Sequence, residues 1–171
     1  MDLKINETKC KSLTIRKCHN CVDIVLDGVV AVDTLNILGV TFDGRCGWTS
    51  HVQNVIKNTS KRFYALRLLR PTLRKEQLLL VYNSLLRSVL EYCNPLLLGM
   101  SITDSCRLER VQKRFHRLLC GPSCREECME SLSDRRRKAS LRFLDEIKDT
   151  NHILHHLLPP ISSTGRFLLP S

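Results

Sequence analysis

The chain has 171 residues, is 43% hydrophobic and carries a formal charge of +10, which excludes a disordered polyelectrolyte and gives about one packed domain. No apolar run approaches the roughly 18 residues that span a bilayer, and the opening MDLKINETKC has no signal-peptide h-region, so an intracellular chain whose nine cysteines are mostly reduced is expected. The charge is local: residues 1–47 and 120–149 are neutral, whereas residues 48–119 hold thirteen basic and four acidic side chains, a field suited to a polyanion such as nucleic acid.

The first 45 residues read as strands. "SLTIR" (12–16), "VDIVL" (22–26) and "LNILGVTF" (35–42) are short, aliphatic and rich in β-branched residues, with turn formers between them. After the Asp27-Gly28 turn, "VVAV" (29–32) is expected to pair back on the second strand as a hairpin, completing a small antiparallel sheet. Asp23, Asp27, Asp33 and Asp43 stand singly in or beside turns.

After Gly47 the period changes from two to 3.6. Trp48, Val52, Val55, Phe63, Leu66 and Leu69 recur at helical spacing with Lys57 and Lys61 on the opposite side, which predicts an amphipathic helix ending before Pro71. A second helix, about residues 74–92, contains "LLLVYNSLL", apolar nearly all round, and is expected to be the most buried element. Asn94-Pro95 ends it, and the apolar connector "LLLGM" leads to a third helix starting near Thr103-Asp104 and stopped by Gly121-Pro122. A fourth starts near Ser131 or Ser133, with Asp134 as an N-terminal acid and Leu141, Phe143, Leu144 and Ile147 as its apolar set. The tail "HHLLPPISSTGRFLLPS" is expected to be extended and partly disordered. The fold class is therefore α+β, mainly α: a small N-terminal antiparallel β element followed by a bundle of four or five helices.

The third helix carries two stripes. Leu108, Val111, Phe115 and Leu118 form an apolar face, and Arg107, Arg110, Arg114 and Arg117 step the same way beside it, with Lys113 among them. Only Asp104 and Glu109 offset these five cations, so Lys57, Lys61, Arg107, Arg110, Lys113, Arg114 and Arg117 are the candidate phosphate contacts. A solvated helix face is the alternative. The run Arg135-Arg136-Arg137-Lys138 sits in a block with as many acids as bases and is the weaker candidate. Cys18 and Cys21, and His116, Cys120, Cys124 and Cys128, are zinc-ligand residue types, but Gly121-Pro122 breaks any helix that would align the later set, so no metal is expected. No nucleophile elbow or phosphate-cradling glycine loop occurs, and neither a cofactor nor a metabolic activity is expected.

Five blocks follow one another in a familiar order: "LKINETKCKSLTI" (3–15), "LNILGVTFD" (35–43), "GWTSHVQNVIKNTSKRFYALRLLRP" (47–71), "LLLVYNSLLRSVLEYCNPLL" (78–97) and "LERVQKRFHRLLCG" (108–121). Over residues 3–160 the chain resembles the C-terminal part of the reverse transcriptase of a non-LTR retrotransposon of the LINE or jockey type. The resemblance implies that residues 1–46 are the last strands of a polymerase palm, 47–121 a thumb-like helical region, 122–158 a helical extension and 159–171 a tail. It implies template–primer nucleic acid as the partner, with no membrane. The family's two-metal chemistry needs an Asp-Asp turn, and no two Asp residues are adjacent here, so a catalytically inactive fragment of an RNA-directed DNA polymerase is expected. The alternative is a helical protein-interaction module, using the connector 95–100 and "RFLLPS", or a relic with no partner.

Overall fold

The structure, a computed structural model, describes residue 6 and residues 9–15, 29–121 and 129–159. Strands β1 (Lys11–Ser12), β2 (Val30–Ala31), β3 (Thr34–Ile37) and β4 (Val40–Asp43) precede helices α1 (Thr49–Leu69), α2 (Lys75–Val81), α3 (Ser88–Leu90), α4 (Ile102–Cys120) and α5 (Leu132–Ile147). A π-helical stretch, Tyr82–Arg87, joins α2 to α3, and 3₁₀ turns occupy Asn94–Gly99 and His155–Leu157. The fold is α+β and mainly α, with a small antiparallel sheet before the helices, as the change of period predicts.

Two expectations about the strands need correction. Residues 35–42, expected as one strand, fold back on themselves: β3 and β4 are antiparallel, in register from Thr34↔Asp43 to Ile37↔Val40. Leu38 and Gly39 make the turn with φ of 50° and 84°, the pair of positive values that a two-residue type I′ turn requires. Asn36 Oδ1 accepts the Gly39 N–H at 3.0 Å and braces it. Glycine adopts this conformation freely, whereas Leu38 bears the strain and leaves its side chain 87% exposed. Residues 29–32 were expected to pair with 22–26, which lie outside the described residues; Val30 and Ala31 instead pair in parallel with Lys11 and Ser12.

Asp43 organises the passage from strand to helix. Its Oδ1 accepts the N–H groups of Arg45 at 2.9 Å and Gly47 at 2.8 Å, which turns the chain toward α1. A Cβ at Gly47 would come within 3.0 Å of the same carboxylate, so glycine fits that approach. The hairpin is then docked on α1. Thr41 N–H donates to His51 Nδ1 at 3.3 Å, Asn54 Nδ2 donates to Thr41 Oγ1 at 3.1 Å, and Trp48 lies 6.0 Å from Phe42, ring centre to ring centre. From the other side Tyr92 Oη donates to Leu38 O at 2.7 Å.

The run expected as one helix over about residues 74–92, apolar nearly all round, was expected to be the most buried element. It buries one face: Leu78, Tyr82, Leu86 and Leu90 are inside, whereas Leu80 is 69% and Leu85 49% exposed. Steps of four drift in an ordinary α-helix, because 3.6 residues complete a turn. The π-helical stretch widens the turn to i→i+5 bonding and holds these four side chains on one side.

Two apolar clusters share α4. Val52, Leu90, Leu108, Val111 and Leu132 form one, and Leu66, Leu78, Tyr82, Leu86 and Phe115 the other. The Tyr82 and Phe115 rings stack 3.7 Å apart and 8° from parallel. Burial raises the Tyr82 pKa, so the phenol stays protonated, and its oxygen lies 3.3 Å from Gln112 Oε1, as a donor to it. Gln112 Nε2 in turn donates to Glu130 O at 2.9 Å.

Both long C-terminal helices start on a serine cap: the one at Ser131 is as expected, whereas α4 begins at Ile102 behind Ser101, just ahead of the expected Thr103-Asp104. Ser101 and Ser131 Oγ accept the N–H groups of Asp104 at 3.1 Å and Asp134 at 3.0 Å. At the far end of α4, Gly121 takes φ 80° and stops the helix. Arg135 anchors α5 by a fork onto Glu91, at 2.5 and 3.1 Å, and Arg87 meets the same carboxylate at 2.9 Å. Burial still pushes the Glu91 carboxyl upward, against the pull of Arg87. No helix among the described residues is long and apolar enough to cross a membrane.

Phe115→Ala should cost about 3–5 kcal/mol, since a wholly buried stacked ring is removed, and should lower the urea midpoint in proportion. A second test concerns His51. Burial lowers its pKa from 6.5, so the unfolded chain binds its proton first; stability is full above about pH 6.5 and is lost as pH falls through the window toward the lower folded value. Urea midpoints taken at about pH 7.5 and about pH 5 should therefore differ more for the parent than for His51→Gln.

Candidate nucleic-acid interface

The third predicted helix, now α4, presents its two stripes as the spacing requires. Leu108, Val111 and Phe115 are buried, Arg110, Lys113, Arg114 and Arg117 are exposed, and Arg107 is partly covered. The two acids that could cancel the stripe are both engaged on the inward side. Asp104 is buried, accepting Thr49 Oγ1 at 2.8 Å and Ser101 Oγ at 3.0 Å, and it pairs with Arg107 Nη1 at 3.0 Å. Glu109 Oε1 accepts the Ser133 N–H at 2.9 Å and so holds the start of α5. Arg107 is thus tied to a fixed partner, whereas Arg110, Arg114 and Arg117 make no ion pair among the described residues.

The predicted set does not converge on one surface. Lys57 and Lys61 line a cleft between α1, the β3–β4 hairpin and α3. Their neighbours Ser60, Phe63, Tyr64 and Arg67 face α4 instead and, with Val111 and Arg114, line a smaller cleft of about 260 Å³. At 100° per residue Lys61 and Arg67 point about a third of a turn apart, which is why α1 serves two clefts. Arg67 therefore joins Arg114, and Tyr64, 64% exposed, stands between the helices as an aromatic face. Neither residue was singled out by sequence. The only signal is the spacing of 60, 64 and 67 along one flank, and nothing local tells which flank meets α4.

Other basic residues of the central block serve the fold. Arg62 Nη1 donates to Leu85 O and Arg70 Nε to Leu118 O, both at 2.8 Å; the second satisfies a carbonyl in the last turn of α4, where a cation is favoured. The run 135–138 is also largely consumed. Arg135 pairs with Glu91, Lys138 pairs with Glu130, and Arg136 is 5% exposed, its pKa lowered by burial and partly restored by Glu109.

Of the zinc-type residues, Cys18, Cys21, Cys124 and Cys128 lie outside the described residues. His116 is buried and Cys120 is a half-buried free thiol. Among the described residues no three of His, Cys, Asp or Glu come together as a metal site would require. In the connector, Leu97 is buried while Leu96 and Leu98 are exposed.

Comparison with protein-family models, with characterised proteins and with solved structures found no match for the chain.

Arg107→Gln should change nucleic-acid affinity little, because Asp104 already neutralises its charge, and should cost at most about 1 kcal/mol of stability. Arg114→Gln should do the reverse: stability within about 0.5 kcal/mol of the parent and a weaker complex with a fluorescent oligonucleotide, measured by anisotropy.

Proposed function

We propose that the chain binds nucleic acid without sequence preference along the exposed basic face of α4 and the adjoining edge of α1. The supporting observation is the one-sided use of acid on α4: Asp104 and Glu109 are spent on the fold, and Arg110, Arg114 and Arg117 are left facing outward. From Arg110 to Arg117 the helix rises about 10 Å, comparable with three base steps at about 3.4 Å along one strand. Guanidinium groups so spaced can meet successive phosphates, and counterion release then drives binding whatever the bases. Tyr64 adds a face on which a base can stack.

The same reading gives the chain its place as a catalytically inactive C-terminal fragment of a non-LTR retrotransposon reverse transcriptase, with template–primer as the partner of the intact polymerase. Asp43, at the seam of the strand and helical regions, is used as a turn acid with its carboxylate on two backbone N–H groups. No adjacent Asp pair exists in the chain to clamp two metal ions. A protein-interaction module is the second reading, favoured by the exposed Leu96 and Leu98.

The decisive measurement is the salt dependence of oligonucleotide binding by the parent and by the triple variant Arg110→Gln, Arg114→Gln, Arg117→Gln. The triple variant should fold, bind all sequences more weakly, and lose about one unit of log–log slope per phosphate contact removed. An unchanged slope would defeat the reading, and salt-insensitive self-association would favour the interaction module. On a primed RNA template with magnesium, the purified chain should incorporate no nucleotide; incorporation by a preparation free of host polymerase would overturn the inactive assignment.

A further inference from the structure

The cleft between α1, the β3–β4 hairpin and α3 holds about 590 Å³, within the roughly 300–1,000 Å³ range of small-molecule sites. One wall is written in the sequence as a repeated Asn-x-x-Lys: Asn54, Lys57, Asn58 and Lys61. At 100° per residue these four side chains fall within about 100° of arc, so amide and ammonium alternate along a single flank of α1. Among the described residues, the side chains of Lys57, Asn58 and Lys61 make no hydrogen bond or ion pair, and no acidic side chain lines the cleft.

The opposite walls are of another kind. Leu38, Val55 and Val89 supply apolar surface, and Ser88 and Tyr92 supply hydroxyls. Tyr92 Oη donates to Leu38 O, which joins α3's end to the hairpin turn and closes the cleft on that side. His51, 2% exposed, also belongs to the lining. Its Nδ1 accepts from Thr41, which leaves Nε2 to carry the proton, and Nε2 has no partner among the described residues. A buried donor without an acceptor marks a polar wall whose bonding is incomplete. Burial keeps the ring neutral, so among the described residues the positive charge of the cleft comes from the two lysines.

We propose that this cleft binds a phosphomonoester of nucleotide size, with Lys57 and Lys61 on the phosphate and the Asn54 and Asn58 amides beside the nucleoside. Two ammonium groups one turn apart suit a dianion with several acceptor oxygens, and nothing in the lining repels it. The apolar walls at Leu38, Val55 and Val89 suit a flat ring, and the amides can both donate to and accept from its edge. The site is separate from the α4 face and does not depend on it. Its ligand is either a free nucleotide or the 5′-phosphorylated end of a strand, which share this chemistry.

The test titrates the full chain with adenosine 5′-monophosphate at low salt, following amide chemical shifts by NMR. Saturable shifts confined to residues of the cleft are expected, and Lys57→Gln with Lys61→Gln should weaken binding at least about tenfold. Both lysines are exposed, so the variant should fold as the parent does. The Arg110, Arg114 and Arg117 triple variant should bind the nucleotide normally, so failure of the α4 reading and failure of this one are read separately. Displacement of the nucleotide by a 5′-phosphorylated dinucleotide, but not by its 5′-hydroxyl form, upholds the site and assigns the strand end; no displacement upholds it and assigns the free nucleotide. Equal binding of adenosine, no saturation by about 10 mM, or an unaffected lysine variant would each overturn the proposal.

Discussion

The stack of Tyr82 on Phe115 is the contact on which the arrangement of the helices depends. It joins the π-helical stretch to α4 at 3.7 Å and leaves neither ring accessible to water. Because Tyr82 carries a hydroxyl, the stack also imposes a polar condition: the phenol needs an acceptor inside the protein. Gln112 meets it from α4, and its other end reaches the Glu130 carbonyl just before α5. One aromatic pair thus sets the rotation of α4 about its own axis and the approach of α5 to it. Once that rotation is set, Leu108, Val111 and Phe115 point inward, and the arginine stripe has no direction left but outward.

The acids follow the same logic. The block 48–119, with four acids among thirteen bases, could place the acids as surface counter-charges and cancel its field. Here three of the four are turned to structural use: Asp104 at the start of α4, Glu109 at the start of α5, Glu91 at the joint of α3 with α5. Each receives fixed donors at a cost in desolvation, which is visible in the raised Glu91 pKa. The surplus positive charge is therefore an outcome of where acids are consumed, as much as of how many bases there are.

The hairpin shows how a local conformation creates a cavity. Had residues 35–42 run as one strand, no turn would stand over α1. The two positive φ values at Leu38 and Gly39 fold the strand back, Tyr92 and His51 hold it in place, and the space left between turn and helix is the cleft lined by Lys57 and Lys61. Its existence rests on a strained leucine that composition alone would assign to a strand.

Much of the helical part was legible in the sequence because it is governed by local physics. The change of period after Gly47, the proline after α1, the serine cap at Ser131 and the glycine after α4 act within a turn or two of where they stand, and these bounds lie where they place them, while the cap at Ser101 starts α4 slightly ahead of Thr103-Asp104. The two-stripe character of α4 was legible for the same reason. The tertiary structure alone decided the rest: that 35–42 is a hairpin, that the run 75–90 buries one face, that Arg107 is neutralised by Asp104, and that Lys57 and Lys61 face a different cleft from Arg114 while Arg67 and Tyr64 face it. Those facts depend on which flank of a helix meets which neighbour. Hydrophobic periodicity specifies that a face is buried and does not encode its partner, because apolar burial is non-directional; the direction comes from a few stacked rings, caps and buried donors that must all be satisfied together.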